Sequence, residues 1–498
     1  MSFNLKLDVG TTLIVTFTLF IVAWLFLFRT RRRNLPPGPL GWPMVGSLPL
    51  LLGSEPPSAV LNRLGSKYGD VYSMNLGSCL VVVLNSYDAI KEALVGKGDF
   101  FSSRPTNVHR VLPLDKGVIR VPDNANWREH RRFTLSTLKR LGMGKSVLED
   151  TVLNEVDKTI ATWDATDGGP IDPAHVLTAA TCNIILGLAL NKRYAYDDGQ
   201  LGELLQIINV ASASKGVAAT LNFLTCLKYL PGQNKHKSFH QNAKKLYDKL
   251  LNPILEEHGK NLETEREAND IISAYLKEMS RPKQIGVNNT MDIENLFVLI
   301  IELLLAGTDT TAVTLNWAIF YMASYGKVQD RVHDEIDQVI GRERRPTMAD
   351  QPLLPYTETT LMEIQRISSI VPLALAHATS GDVSLRGYVI PKGTYVIPNL
   401  WSVHHEPRRW TEPEVFKPER FLGKDGSVIR SGELVPFGIG RRICLGMQLA
   451  KMELFLFFTV LMQHYNFKLP ENTVPPSTEP VQGGLCRPKP YEVCMMKR

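Results

Sequence analysis

PFGIGRRICLGMQLA, residues 436–450, puts one cysteine among three glycines and two arginines, directly ahead of a helical pattern. Gly438, Gly440 and Gly446 remove side chains, so a flat or bulky group can approach the backbone. Arg441 and Arg442 place fixed positive charge beside the thiol, which is expected to lower its pKa. Leu449, Met452, Phe455 and Leu456 follow at helical spacing, so Cys444 falls near a helix N-terminus, where a thiolate is favoured. The stretch specifies a thiolate but not its use.

The surrounding chain has 498 residues, 44% hydrophobic and 21% charged, an ordinary globular composition. Its formal charge of +6 draws four charges from Arg29, Arg31, Arg32 and Arg33. The remainder is near neutral and gives no argument for a nucleic-acid partner. That cluster closes the uncharged run Thr11–Phe28, 18 residues. As a helix this spans roughly 27 Å, close to a bilayer's hydrocarbon core. The run is too long for a secretory signal peptide and ends in arginines, not a small-residue cleavage site. Residues 1–28 therefore read as an N-terminal transmembrane signal anchor and residues 29–45 as a basic, Pro-rich hinge. The positive-inside rule places the rest of the chain, 46–498, in the cytosol. The six cysteines contain no C-x-x-C pair, as expected of buried thiols in a reducing compartment. Asn288-Asn289-Thr290 is a glycosylation sequon whose use would contradict that topology.

Along the chain, Pro36, Pro37, Pro39 and Pro43 predict an extended, semi-rigid spacer. VYSMNL and CLVVVL, residues 71–76 and 79–84, read as strands about a Gly-Ser turn. Helical periodicity then dominates, over 127–139, 148–163, 173–190, 241–258, 292–322, 328–340 and 356–369. GYVIPKGTYVIP reads as a hairpin turning at Pro391-Lys392-Gly393, and the tail from about 464 as irregular and β-like. With no internal repeat and no second linker, the expectation is one large, mainly α domain with a minor β region (α+β).

The longest helical run contains IIELLLAGTDTTAVTLNWAIF, residues 300–320. Ala306 and Gly307 remove bulk from one turn, and Thr308, Asp309, Thr310 and Thr311 put polar groups into a stretch apolar enough to be buried. Threonine hydroxyls can bond the carbonyl a turn back and bend the helix. A small-residue surface with a carboxylate–hydroxyl pair suits a flat ligand with proton delivery beside it; a packing notch for another helix stays open as the alternative.

Together these motifs resemble the cytochromes P450, most of all the microsomal family-2 group, over everything after the anchor. FGIGRRICLG (437–446) is similar to the family's haem-thiolate loop, and AGTDTT (306–311) to its oxygen-activating helix signature. EIQR (363–366) with Arg420 in WTEPEVFKPERF resembles its Glu-Arg-Arg triad, whose role is structural. WREHR (127–131) resembles the helix that reaches the haem propionates, and PPGP (36–39) the hinge of anchored members. The resemblance implies a cytochrome P450 fold holding haem b, iron protoporphyrin IX, with Cys444 as axial thiolate. It implies cofactor contacts from Arg442, Trp127, Arg131, Arg104, His377, Ala306, Gly307, Phe437 and Gly438. It makes Thr310 and Asp309 the catalytic pair that handles protons during oxygen activation. The chemistry implied is hydroxylation of a lipophilic small molecule, at the endoplasmic reticulum membrane. No strand-G-x-G-x-x-G-helix unit is visible, so electrons must come from a partner, NADPH–cytochrome P450 reductase, with cytochrome b5 as a second donor. Arg128, Arg132, Lys139, Arg140 and Lys145 form the basic face expected to receive it.

By position, the pocket draws on residues 105–120 and 211–220, on Leu305 and Ala306, on Val371 to Leu375 and on Leu485. Its mostly apolar character suits a lipophilic ligand. Glu302, one turn before Ala306, is expected to bind nearby backbone and shape the pocket roof; greeting a cationic substrate is the other reading. Ala376 departs from the proline common before the histidine in close relatives. A haem-thiolate isomerase or dehydratase, needing no reductase, and a non-catalytic haem sensor remain alternatives.

Overall fold

The strongest helical pattern in the sequence becomes the axis of the molecule. The computed structural model describes residues 10–12, 15–18, 34–106, 116–143, 146–212, 223, 248, 251–261, 268–281, 290–471, 477–481 and 483–498. Most of the expected anchor lies outside these, as do Arg29 to Arg33, residues 107–115 and 213–220 of the expected pocket, Lys145, and Asn288-Asn289 of the sequon. Eight long helices position the site: α1 (Pro57–Tyr68), α2 (Ala125–Arg140), α3 (Ser146–Asp164), α4 (Ala174–Leu190), α5 (Ile293–Ser324), α6 (Gly326–Val339), α7 (Pro355–Ser368) and α8 (Met447–His464).

Asp292 caps α5, its side chain accepting from the Asn295 N–H at 2.7 Å, so the helix starts where its first apolar turn starts. Among the described residues α5 alone is long and apolar enough to cross a membrane. Its apolar window is 67% buried within the fold, which marks it as a core helix. It packs against α4, α7 and α8 in one continuous apolar cluster that includes Leu296, Trp317, Leu186 and Phe457. Burying such all-round apolar helices supplies the main driving force for folding. Thr181 on α4 donates to the Thr308 carbonyl at 3.0 Å, stitching the two helices at the polar turn.

Strands β1 (Val71–Leu76) and β2 (Cys79–Leu84) pair antiparallel as the sequence predicts, from Val71 opposite Leu84 to Leu76 opposite Cys79. The sheet grows differently from expectation. GYVIPKGTYVIP is not one hairpin. Arg386 and Gly387, at φ 48° and 81°, close a tight turn between β4 (Val383–Leu385) and β5 (Tyr388–Ile390). Its second arm, β6 (Tyr395–Pro398), lies parallel to β2 and antiparallel to β3 (His377–Ala378). The order β1-β2-β6-β3 thus leads from the N-terminal hairpin to His377. A last pair, β7 (Tyr465–Lys468) with β8 (Cys494–Lys497), ends the chain.

The Pro-rich run is not a spacer ahead of the body. It lies along β1: Ser73 donates from its backbone to Pro37 and from its hydroxyl to Pro36, at 2.7 and 2.6 Å, and Ser47 donates to Asn75 at 2.6 Å. A Cβ on Gly38 would come within 1.7 Å of the Ser73 carbonyl oxygen, so glycine permits the close approach. The folded body therefore begins near residue 36, not 46.

Candidate active site

The cysteine loop is shaped by its own backbone. The Cys444 N–H donates to Phe437 O at 3.0 Å, Gly438 N–H to Val435 O at 3.0 Å and Ile443 N–H to Gly440 O at 3.1 Å. Gly440 has φ 80°, and a Cβ there would sit 2.2 Å from Leu94 O, so only glycine fits. Gly438 has φ 70° with open space where its side chain would be. Gly446 caps α8, which places Cys444 two residues before the cap.

The arginines beside the cysteine do not point at it. Arg441 pairs outward with Asp99 at 2.5 Å. Arg442 donates to the carbonyls of Ser102, Val118 and Val121, at 2.8, 3.4 and 2.6 Å. The cation that acts on the thiol is Arg131, which donates to the neighbouring Ile443 carbonyl at 2.6 Å. Burial pushes the thiol up from its ordinary value, against the lowering effects of the Gly446 N–H and Arg131. The expected depression by Arg441 and Arg442 is thus corrected: the loop's own charges are taken up by other partners. Protein packed around the loop thus desolvates the thiol, yet the Cys444 side chain itself keeps solvent-exposed surface.

Ala306, too, is exposed in the middle of buried α5, with Leu305 and Thr310 half-buried, so this stretch of the core helix borders open volume. Gly307 serves the other side: a Cβ there would meet Ile185 Cδ1 at 2.5 Å. Its smallness seats α4 against α5, the packing notch, while Ala306 alone supplies the small open surface. Thr310 Oγ1 donates to Ala306 O at 2.6 Å. Asp309 is 1% exposed; its Oδ2 accepts from Arg487 Nη2 at 2.8 Å and its Oδ1 has no hydrogen-bond partner among the described residues. Sequence reasoning misses Arg487. It comes from the C-terminal segment, held by paired backbone bonds with Val481, and no periodicity links it to α5.

Arg104, Trp127, Arg131, His377 and Arg442 converge although 338 positions separate the first from the last. Arg442 stacks on the Trp127 ring with its guanidinium carbon 3.6 Å from the centroid, and Arg131 lies 5.8 Å from the same ring. Arg104 donates to Leu375, Ala376 and Ile119 carbonyls at 2.7, 2.9 and 3.1 Å. The Ala376 that departs from proline thus offers its carbonyl to this cluster. His377 bonds Phe101 O through Nδ1 at 2.6 Å. Burial, then the charge of Arg104, holds its imidazole well below the usual range. Burial together with the charges of Arg104 and Arg131 brings Arg442 down to about 8. Three guanidiniums crowded together, one buried and two half-buried, call for anions. The two propionates of a haem would supply them, beside a cysteine open on one side and a small-residue helix face. The donor set fits the group.

Behind the loop, Glu363 and Arg366 are both fully buried and bonded twice at 2.8 Å, and Arg420 Nε reaches Glu363 at 2.9 Å. The pair is no surface bridge. Arg366 also donates to His404 O at 2.7 Å, and His404 Nε2 accepts from the Val435 N–H at 3.0 Å, at the root of the cysteine loop. Burial depresses His404 to about 3, so it is a neutral acceptor there. Glu302, 4% exposed, binds backbone as expected, accepting from Val118 and Ile119 N–H at 2.6 and 2.9 Å. Arg128, Arg132, Lys139 and Arg140 are exposed along α2, Arg128 pairing with Asp123 at 2.9 Å.

The family model described as Cytochrome P450 matches residues 36–495. "Cytochrome P450 2U1" of Homo sapiens is 36% identical over 520 residues, covering 99% of this chain and 95% of that protein. "Cytochrome P450 2D3" of Rattus norvegicus is 36% identical over 510 residues, covering 99% and 100%. "Cytochrome P450 2D28" of Mesocricetus auratus is 35% identical over 494 residues, covering 97% and 98%.

Proposed function

The chain belongs to the cytochrome P450 family and is a haem monooxygenase of that type, and we propose that it hydroxylates a lipophilic small molecule with electrons drawn from NADPH through a membrane flavoprotein reductase. The observation that carries this reading is the cation cluster of buried Arg104 with half-buried Arg131 and Arg442 beside the Cys444 loop. When bound, haem b supplies the reductive activation of dioxygen and the transfer of one oxygen atom to a C–H bond. Cys444 would ligate the iron through its thiolate. Arg104, Trp127, Arg131, His377 and Arg442 would hold the propionates. Phe437 and Gly438 would border the ring from the loop, and Ala306 from α5.

Thr310 and Asp309 manage protons in this reading. Asp309 is buried with one oxygen bonded to half-exposed Arg487 and the other without a partner among the described residues. Such a carboxylate can take a proton from the solvent side and release it toward Thr310, whose hydroxyl already donates within the same turn. The intact pair favours oxygen activation over isomerase or sensor chemistry. The exposed Arg128, Arg132, Lys139 and Arg140 would receive an acidic reductase, with cytochrome b5 as a second electron donor. Residues 1–28 would anchor the chain in the endoplasmic reticulum membrane as a single pass, with the body cytosolic.

The carbon monoxide difference spectrum of the reduced protein, measured beside Cys444→His, tests the centre. A strongly red-shifted Soret band lost in the variant is expected; an imidazole-like band in both would remove Cys444 as ligand and the reading with it. Reductase-driven NADPH consumption in Arg132→Glu and Lys139→Glu then tests the partner, and unchanged turnover and salt dependence would exclude that face.

A further inference from the structure

The segment 116–121 lies between α5 and the cation cluster, and its two backbone edges are used differently. On one edge its donors are strapped to α5. Lys116 Nζ bonds Asp292 Oδ2 at 2.6 Å and Gly117 N–H donates to Asn295 Oδ1 at 3.2 Å. Val118 and Ile119 N–H both converge on Glu302 Oε2. Gly117, at φ 83°, makes this approach possible, since a Cβ there would lie 2.5 Å from that oxygen. On the other edge the carbonyls meet the cluster. Val118 O accepts from Trp127 Nε1 at 3.0 Å and from Arg442, Ile119 O from Arg104 and Val121 O from Arg442.

One buried carboxylate therefore orders the Val118–Ile119 and Ile119–Arg120 peptide groups, whose carbonyl ends orient Trp127, Arg442 and Arg104, while Val121 O, one residue on, gives Arg442 its shorter bond. Peptide units aligned between an anion and cations polarise in the same sense, so the arrangement is mutually reinforcing. Glu302 also acts directly on Arg442 through its charge. This goes past a pocket-roof role. We infer that Glu302 is a positioning residue for the cofactor: through residues 117–121 it presets Arg104, Trp127 and Arg442 to receive the haem propionates. The inference rests on the haem-thiolate reading and adds a residue that touches neither iron nor propionate.

The test separates a cradle effect from general loosening. Full-length wild type, Glu302→Gln and Glu302→Ala are each loaded with haem or with its dimethyl ester, which has no propionate charge. Transfer to an excess of an apo-haem scavenger gives a release rate for each. Wild type is expected to release haem at least tenfold more slowly than the diester. Glu302→Ala should release haem at least tenfold faster than wild type while releasing the diester at nearly the wild-type rate. Glu302→Gln, which keeps an acceptor oxygen and the volume, should fall between, and it carries the test alone if the alanine variant fails to fold. Equal acceleration for haem and diester, or none for either, would overturn the inference. A wild type that does not distinguish haem from diester would instead remove the propionate assignment on which it rests.

Discussion

Replacing Glu363 by alanine tests whether the triad behind the cysteine loop is structural, and its size follows from burial. Glu363 and Arg366 have no exposed side-chain surface, and Arg420 has 8%. Glu363 also accepts from the Lys417 N–H at 3.0 Å. An exposed pair three residues apart on a helix would contribute under about 1 kcal/mol. Removing one partner of a buried pair costs about 3–5 kcal/mol, because a charge is left without compensation. Here two guanidiniums lose their shared anion, and among the described residues Arg366 keeps only His404 O and the Trp410 ring, 5.6 Å away. A loss of at least about 4 kcal/mol is expected, roughly a thousandfold in the folded ratio and a large part of the usual about 5–15 kcal/mol of a domain. Through His404 and Val435 the same change should loosen the cysteine loop. Guanidinium unfolding followed by tryptophan fluorescence gives the stability, and the carbon monoxide spectrum gives the thiolate-ligated fraction. Glu363→Gln, keeping one acceptor, should lie between wild type and alanine. If both variants stay within about 1 kcal/mol and load haem normally, the buried-pair reasoning is refuted.

Gly307→Val should cost about 2–3 kcal/mol by overpacking against Ile185, with Ile185→Ala restoring at least about 1 kcal/mol in the double variant. The Soret band should be unchanged throughout; a shifted band with no coupling to Ile185 would mean that Gly307 serves the open face after all. Burial holds His404 at about 3 and His405 and His333 at about 4, against 6.5 when unfolded. The unfolded chain therefore binds more protons below pH 6.5, and stability is complete above that value and falls as pH drops toward 4. At pH 5.5 the three together cost about 4 kcal/mol, which buried Glu453, held up at about 8 and taking on a proton over the same interval, offsets in part. His333→Gln, which removes one of the three, should lessen the fall in stability between pH 7.5 and 5.5 by about 1 kcal/mol, and an unchanged pH dependence in that variant would contradict this. Arg487→Gln leaves the Asp309 carboxylate without its cation, and product formed per NADPH should fall several-fold with the Soret band intact. Unaltered coupling would show that Arg487 has no part in proton delivery.

Much of this architecture is legible because its signals are local. VYSMNL and CLVVVL alternate about a Gly-Ser turn and become β1 and β2 at the residues expected. The apolar run around AGTDTT becomes α5 within one or two residues at each end. Sequence reasoning misses the helices Pro57–Tyr68, Gly199–Ser212 and Ile271–Ser280. Its other failures are decided by partners far along the chain. GYVIPKGTYVIP has a sound turn at Gly393, φ 78°, yet its arms part because Val383–Leu385 and Cys79–Leu84 offer them separate edges. The Pro-rich run looks like a spacer by composition, and only the proximity of Ser73 and Asn75 turns it into an added edge of the sheet.

The cysteine loop shows the same limit in its charges. Arg442 stands two positions from Cys444 in sequence, yet its donors go to Ser102, Val118 and Val121. Arg131, more than three hundred positions away, is the cation that acts on the thiol. Burial then outweighs both that charge and the Gly446 N–H, and the thiol is pushed up, not down. A coordinated metal deprotonates a thiol outright, so in the proposed reading the loop's task would be the geometric one that Gly438 and Gly440 perform: presenting an exposed sulfur. In the proposed reading Arg442 alone would then serve the other end of the cofactor, since Arg441 pairs outward with Asp99. Its crowding with Arg104 would be tolerable in that reading because the carbonyls of residues 118–121 hold Arg104 and Arg442 in fixed directions.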